Sequence, residues 1–251
     1  IAVGNVVGSN IFNLLMVAGL SAAVCPLVMD KTLLRRDWPL SILAAVLLLG
    51  AIAPDLTIAR WEGVVLLIIF AFILTHQIRT ALQNREQLAT AAAEAEAEEA
   101  EAPMSAAMIW VNILLGLACI VIGGQLAVNG ATGIARMFGL SETLIGLTIV
   151  AMGTSLPELV TSIVAARKKE LDMALGNVIG SNIFNILLIL GLAAVISPVT
   201  FIFENMIDIV LLTAMSLLVW IFGWTRQRLC RTEGMVMLAI YAVYLVYICI
   251  R

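Results

Sequence analysis

The sequence predicts an all-α polytopic membrane protein of about eight transmembrane helices, arranged in two halves of opposite orientation. Three observations carry that expectation. First, of 251 residues 62% are hydrophobic and only 12% charged, about half the charged share of a globular domain, and mean hydropathy is +1.08. Second, continuous apolar runs of membrane-crossing length recur along the chain, where barrel strands would alternate over about 10 residues. Third, a polar motif near the start returns in a helix that crosses in the other direction. A soluble surface, disorder, collagen and coiled coil each require a different bias.

In chain order, the first apolar segment, 3–24, carries the first copy of the motif. The second, 39–54, is short and opens at Trp38-Pro39, where proline suits a first helical turn. The third covers 61–79. The stretch 80–106 is polar, with Glu94, Glu96, Glu98, Glu99 and Glu101 among alanines. It lacks the turn geometry of a calcium-binding loop and reads as a solvated linker or helical extension. Five segments follow: 107–128, 140–166, 173–196, 206–223 and 234–250. The expected units are therefore 1–79 (three helices, the remainder of a first half), an acidic linker at 80–106, and 107–251 (five helices, the second half). The chain starts at Ile1 inside a patterned segment, so a further N-terminal part is expected in the natural protein.

Orientation follows from the basic residues. Eleven of the 14 Lys and Arg residues fall in loops on one side, among them Arg167, Lys168 and Lys169. That side, including 80–106, is expected to be cytoplasmic. All five tryptophans fall near segment ends, as an aromatic belt requires. Cys25, Cys119, Cys230 and Cys249 form no metal-ligand spacing and read as small packing residues. The lone His76 cannot form a zinc-protease pair.

Gly4-Asn5-Val6-Val7-Gly8-Ser9-Asn10-Ile11-Phe12-Asn13 reappears as Gly176-Asn177-Val178-Ile179-Gly180-Ser181-Asn182-Ile183-Phe184-Asn185, an offset of 172 residues. From 4 to 26 the two copies agree at 14 of 23 positions. They occupy the first and sixth segments, so they cross the membrane in opposite directions, the pattern of inverted-repeat transporters with a midplane site. Ser9 and Asn13 are spaced i, i+4 on one helix face, as are Ser181 and Asn185. A single such face would read as helix–helix glue. The same face twice, inverted, favours a shared site.

The fifth segment holds Glu158, the only acidic residue near the middle of any segment. A carboxylate there costs several kcal/mol and marks an ion pathway more often than a structural hydrogen bond. Thr154 lies i−4 to it, and Ala151, Thr154, Ser155 and Glu158 share much of one face. Pro157 has no N–H to give the carbonyl of Gly153, which kinks the helix there and frees an oxygen. A carbonyl, two hydroxyls and a carboxylate suit hard cations such as sodium and calcium, whereas zinc and copper prefer His and Cys.

Gly153-Thr154-Ser155-Leu156-Pro157-Glu158, followed by the motif at 176–182, resembles the second alpha repeat of the calcium/cation antiporter superfamily, most closely the prokaryotic sodium/calcium exchangers. The copy at 4–10 is similar to the second half of the first alpha repeat. The resemblance implies an inverted-repeat ten-helix exchanger fold with eight helices present. The first two, with one of two central acidic residues, would lie outside this chain. It places metal ligands at Ser9, Asn13, Ala151 (backbone), Thr154, Ser155, Glu158, Ser181 and Asn185. Potassium-cotransporting members tend to carry Asp where Asn185 stands, which counts against potassium dependence. The implied mechanism is sodium-for-calcium antiport by alternating access in the cell (inner) membrane. No cofactor is expected beyond the transported ions, no nucleic-acid partner, and no catalysis; the oligomeric state is open. A calcium/proton antiporter of the same fold is the nearest alternative, with Glu158 carrying the proton. An intramembrane enzyme would need a base beside Ser155 or Ser181, and neither has an embedded His or Lys partner in the sequence.

Overall fold

The computed structural model describes residues 2–83, 105–139, 145, 148–149 and 151–250. The principal helices are α1 (Ala2–Phe12), α2 (Ala18–Val24), α3 (Trp38–Ile52), α4 (Arg60–Gln83), α5 (Ala106–Met137), α6 (Ala151–Thr154), α7 (Leu156–Arg167), α8 (Leu171–Ile183), α9 (Gly191–Ile196), α10 (Phe203–Arg226) and α11 (Arg231–Ile250). A π-helical turn, Asn13–Val17, joins α1 to α2, and its counterpart, Phe184–Leu190, joins α8 to α9. The chain is a multi-pass membrane protein. Among the described residues, six helical spans are long and apolar enough to cross a bilayer: Val3–Val24, Arg60–Leu82, Ala107–Met137, Met173–Ile196, Phe203–Arg226 and Arg231–Ile250.

The other two expected segments are helical but not long continuous α-helices. The second has 15 α-helical residues, lengthened by a π-helical turn at Leu33–Asp37. In the fifth, described from 151 onward apart from three isolated residues, α6 ends at Thr154 and α7 begins at Leu156. Ser155 sits between them at φ −101°, ψ 8°, with Pro157 in the first turn that follows. The missing proline N–H accounts for the break. The fourth segment needs correction: its helix runs to Met137, well beyond 128, because Gly130 and Gly133 only weaken a helix. It stops where Gly139 adopts φ +75°. Most of the expected linker, 84–104, lies outside the described residues, as does most of 140–150.

The inverted repeat extends well beyond its sequence motif. Two-residue strands β1 (Leu27–Val28), β2 (Thr57–Ile58), β3 (Val199–Thr200) and β4 (Arg228–Leu229) pair across the halves, β1 with β4 and β2 with β3, both antiparallel. Each ladder gains one more bond: Met29 N–H donates to the carbonyl of Gln227 at 2.9 Å, and Phe201 N–H to that of Leu56 at 2.7 Å. Gln227 and Leu56 both hold a left-handed backbone, φ 50° and 55°. The following helices begin alike. Glu62 accepts from the N–H of Ala59 at 2.8 Å, and Glu233 from that of Cys230 at 2.7 Å. These carboxylates satisfy orphan N–H groups at a helix N-terminus and complement its dipole.

The last helix of each half then packs on the repeat helix of the other. Gly63 of α4 lies against Gly191, and Gly234 of α11 against Gly19, so close that a Cβ on either would meet backbone oxygen at 2.8 Å and 2.6 Å. The first copy, α1 through α2, forms the centre of the core, with Val7, Leu15, Val17 and Ala18 buried. Trp38 departs from the aromatic-belt expectation. It is fully buried, and its Nε1 donates to the carbonyl of Ser216 at 3.1 Å. Trp220 likewise donates to the carbonyl of Leu34 at 2.8 Å. Trp61, Trp110 and Trp224 are exposed.

Candidate ion-binding centre

The two motif copies cross near their asparagines. Asn10 Nδ2 donates to the carbonyl of Asn182 at 3.4 Å, and Asn182 Nδ2 to the carbonyl of Asn10 at 3.3 Å. Asn185 Nδ2 donates to Asn10 Oδ1 at 3.0 Å, and Asn13 Nδ2 to Asn182 Oδ1 at 3.3 Å. Each bond has its symmetry mate. Asn13 and Asn185 also lie in the two π-helical turns, a local overwinding frequent at functional sites.

Glu158 enters from α7. Its carboxylate oxygen Oε2 is buried and has no hydrogen-bond partner among the described residues, as is true of Asn13 Oδ1. Buried oxygens of this kind are costly unless something electropositive meets them. The backbone that carries Glu158 is held firmly. Asn177 Nδ2 reaches its carbonyl at 3.2 Å and the hydroxyls of Thr161 and Ser162 at 2.9 and 3.0 Å. Ser162 donates onward to the carbonyl of Ala174 at 3.2 Å. Four sequence-predicted or newly found groups, Glu158, Asn177, Ser181 and Asn185, line one cavity of about 430 Å³. Gly176, Gly180 and Phe184 complete that wall, and among the described residues nothing lies within 4 Å of a Cβ on either glycine.

Thr154 faces the first copy. Its hydroxyl lies within hydrogen-bond distance of both Asn5 Oδ1, at 3.3 Å, and Ser9 Oγ, at 3.2 Å. The structure thus joins Ser9 to Thr154, and Glu158 to Ser181 and Asn185, with Asn13 linked to Asn185 through Asn10 and Asn182. Two expected ligands fall outside this grouping. Ser155 is buried at the helix break and lines neither the Glu158 cavity nor the one beside Gly153 and Pro157. Ala151 opens α6, and only its backbone is described. Gly153, Thr154 and Pro157 face a second cavity of about 260 Å³ shared with α5. No group of three or more His, Cys, Asp or Glu occurs among the described residues. The donor set is one carboxylate with neutral oxygens, which suits hard cations.

Sequence reasoning missed Asn5, Asn10, Asn177 and Asn182. All four stand inside the repeat, at the 172-residue offset. Their identity in both copies was a signal, but a face argument built on i, i+4 spacing selected only Ser9, Asn13, Ser181 and Asn185.

The family model described as sodium/calcium exchanger protein matches residues 1–79 and 108–250. The chain is 42% identical over 201 residues to the putative antiporter CaxA of Alkalimonas amylolytica, and 39% over 200 residues to inner membrane protein YrbG of Escherichia coli. Those alignments cover 78% and 79% of this chain, and the chain spans 61% of the length of each relative. The uncharacterized membrane protein MJ0091 of Methanocaldococcus jannaschii is 35% identical over 243 residues, 97% of this chain and 75% of that protein. Among solved structures, the sodium-calcium exchanger NCX_Mj soaked with zero Na+ and Ca2+ superposes at a TM-score of 0.78 with 32% identity, covering 98% of this chain and 76% of that one.

Proposed function

Because the chain belongs to the sodium/calcium exchanger protein family, we propose that it forms most of a secondary antiporter that exchanges sodium for calcium by alternating access. The single observation that carries this reading is the buried Oε2 of Glu158, without a partner among the described residues, on a cavity shared with Ser181 and with Asn185, which bonds the first copy at Asn10. A dehydrated cation there gains a full negative charge from Glu158 and neutral oxygens from the serines and asparagines. Sodium and calcium compete because both take oxygen ligands, and sodium entering down its gradient drives calcium the other way. The inverted halves supply two related packings of one site, the arrangement on which rocking transporters rely.

Charge sets a further requirement. One carboxylate leaves a divalent cation with net charge in a low dielectric, which is costly. In this reading a second carboxylate, as the family resemblance implies, completes the charge balance of the site. The protein lies in the cell membrane, as the name of the Escherichia coli relative suggests for that protein, with the linker at 80–106 and Arg167 to Lys169 on the cytoplasmic side.

The test is sodium-dependent uptake of radiolabelled calcium into vesicles holding the complete natural protein, beside its Glu158→Gln variant. Gln keeps the shape and removes the charge, so uptake should vanish while the protein stays folded. Wild-type exchange by a well-folded Gln variant overturns the assignment. Uptake that follows pH alone and ignores sodium would identify proton coupling instead.

A further inference from the structure

We propose that Asn10 and Asn182 are positioning residues: each fixes which end of its partner's amide, Asn185 or Asn13, is turned toward the transported cation. The proposal rests on the reading of Asn13 and Asn185 as cation-facing groups.

An asparagine offers a cation either an attractive oxygen or a repelling NH₂, and the two ends have nearly the same shape. A binding site built from asparagine must therefore hold the amide one way round. Here the orientation follows from a chain of obligatory partners. A backbone carbonyl only accepts. The nitrogen of Asn10 must therefore face the carbonyl of Asn182, at 3.4 Å, and the nitrogen of Asn182 the carbonyl of Asn10, at 3.3 Å. With both nitrogens committed, the oxygens of Asn10 and Asn182 point the other way, where they too can only accept. They receive Asn185 Nδ2 at 3.0 Å and Asn13 Nδ2 at 3.3 Å. The amides of Asn185 and Asn13 are thereby turned so that Oδ1 is the end left over. For Asn13 that oxygen is buried and unpartnered among the described residues. For Asn185 the residue lines the cavity of Glu158.

The two locks are also coupled. Asn10 and Asn182 hold each other, so each motif copy sets the polarity of the other copy's asparagine across the crossing point. Both are buried, which removes water as a competing partner. Simple helix–helix glue would need the bonds between Asn10 and Asn182, but not the outward pair that orients Asn13 and Asn185.

A double-mutant cycle on the complete natural protein separates the two roles. Asn182→Ala frees the amide of Asn13 to turn its NH₂ toward the ion. The half-saturating calcium concentration in sodium-dependent uptake should rise about tenfold, as for other residues that orient metal ligands, with the maximal rate little changed. Asn13→Asp presents oxygen whichever way it turns. In that background Asn182→Ala should cost nothing, or improve affinity by removing an oxygen–oxygen contact. The mirror cycle, Asn10→Ala with Asn185→Asp, should behave the same way and serves where the first does not fold. Loss of affinity by the same factor in both backgrounds, or none in either, overturns the lock. If Asn13→Asp and Asn185→Asp alone leave sodium and calcium affinities at wild-type values, the cation-facing reading fails first.

Discussion

One added methyl group at Gly234 should destabilise the protein, and its size can be worked from the packing. In Gly234→Ala the new Cβ would lie 2.6 Å from the carbonyl oxygen of Gly19 and 2.9 Å from the backbone N of Ala23. Both neighbours are backbone in α2, so neither can swing aside. Overpacking of this kind costs about 1–3 kcal/mol, and two rigid partners place it at the upper end. Replacing glycine by alanine within a helix returns up to about 1 kcal/mol. The net is a loss of about 2 kcal/mol, which for a chain of this size lowers Tm by about 4–8 °C. The assay is thermal unfolding of the purified protein in detergent. Gly50→Ala is the internal control: nothing lies within 4 Å of its added Cβ, so it should be neutral or stabilising. Inverted symmetry adds a demand. Gly63→Ala, whose Cβ would meet Gly191 O and Ala194 Cβ at 2.8 Å each, should lose about as much as Gly234→Ala. A Gly234→Ala protein that melts at or above the wild-type temperature refutes the close-approach argument.

Three further outcomes are expected. Asn185→Asp puts a second carboxylate on the cavity wall of Glu158; calcium should be taken up at lower concentration and acid should inhibit more strongly, since two close carboxylates ionise together only with a cation between them, and unchanged ion and pH responses would remove Asn185 from the site. Trp38→Phe deletes the bond to the Ser216 carbonyl inside the core, and thermal unfolding should show a loss of about 1–3 kcal/mol; a loss under a few tenths would contradict its burial. Single cysteines at Lys168 and Lys169 should resist impermeant thiol reagents applied from outside cells, in keeping with the basic bias of that side.

The apolar segments, the repeat and the placing of Glu158 beside Ser181 and Asn185 were legible because each rests on residue identity: long apolar runs, a repeated motif, one carboxylate in an apolar run. What stayed hidden rests on backbone geometry or on partners distant in sequence. The second stretch of the repeat, Arg60-Trp61-Glu62-Gly63 against Arg231-Thr232-Glu233-Gly234, was present in the sequence. It escaped because the offset slips to 171 and Trp61 has become Thr232. The strands are two residues long and exist only as pairs between halves. The π-helical turns at Asn13 and Phe184 leave no compositional trace. Trp38 looks like an interfacial residue until α10 supplies the Ser216 carbonyl 178 residues away. Asn10 and Asn182 point at each other, and a single helix face cannot reveal a residue whose partner is its own copy.

Nearly identical motif copies occupy unequal surroundings, and that inequality lies at the candidate site. Ser9 is 4% exposed and Asn13 fully buried, while Ser181 and Asn185 are only half-buried. Phe12 is 3% exposed and packs edge-on against Tyr241; its counterpart Phe184 packs the same way on Phe70 yet is 44% exposed. Since the sequences agree, the difference comes from what lies on them. Thr154 of α6 covers the first copy at Ser9 and Asn5, and no equivalent segment covers Gly176, Gly180 and Phe184 among the described residues. The consequence can be read chemically in this chain, with its four native cysteines replaced. Ser181→Cys should react with a small water-soluble thiol reagent, and Ser9→Cys, packed beneath Thr154, should react far more slowly. If the two cysteines react at the same rate, the cover that Thr154 gives Ser9 is refuted.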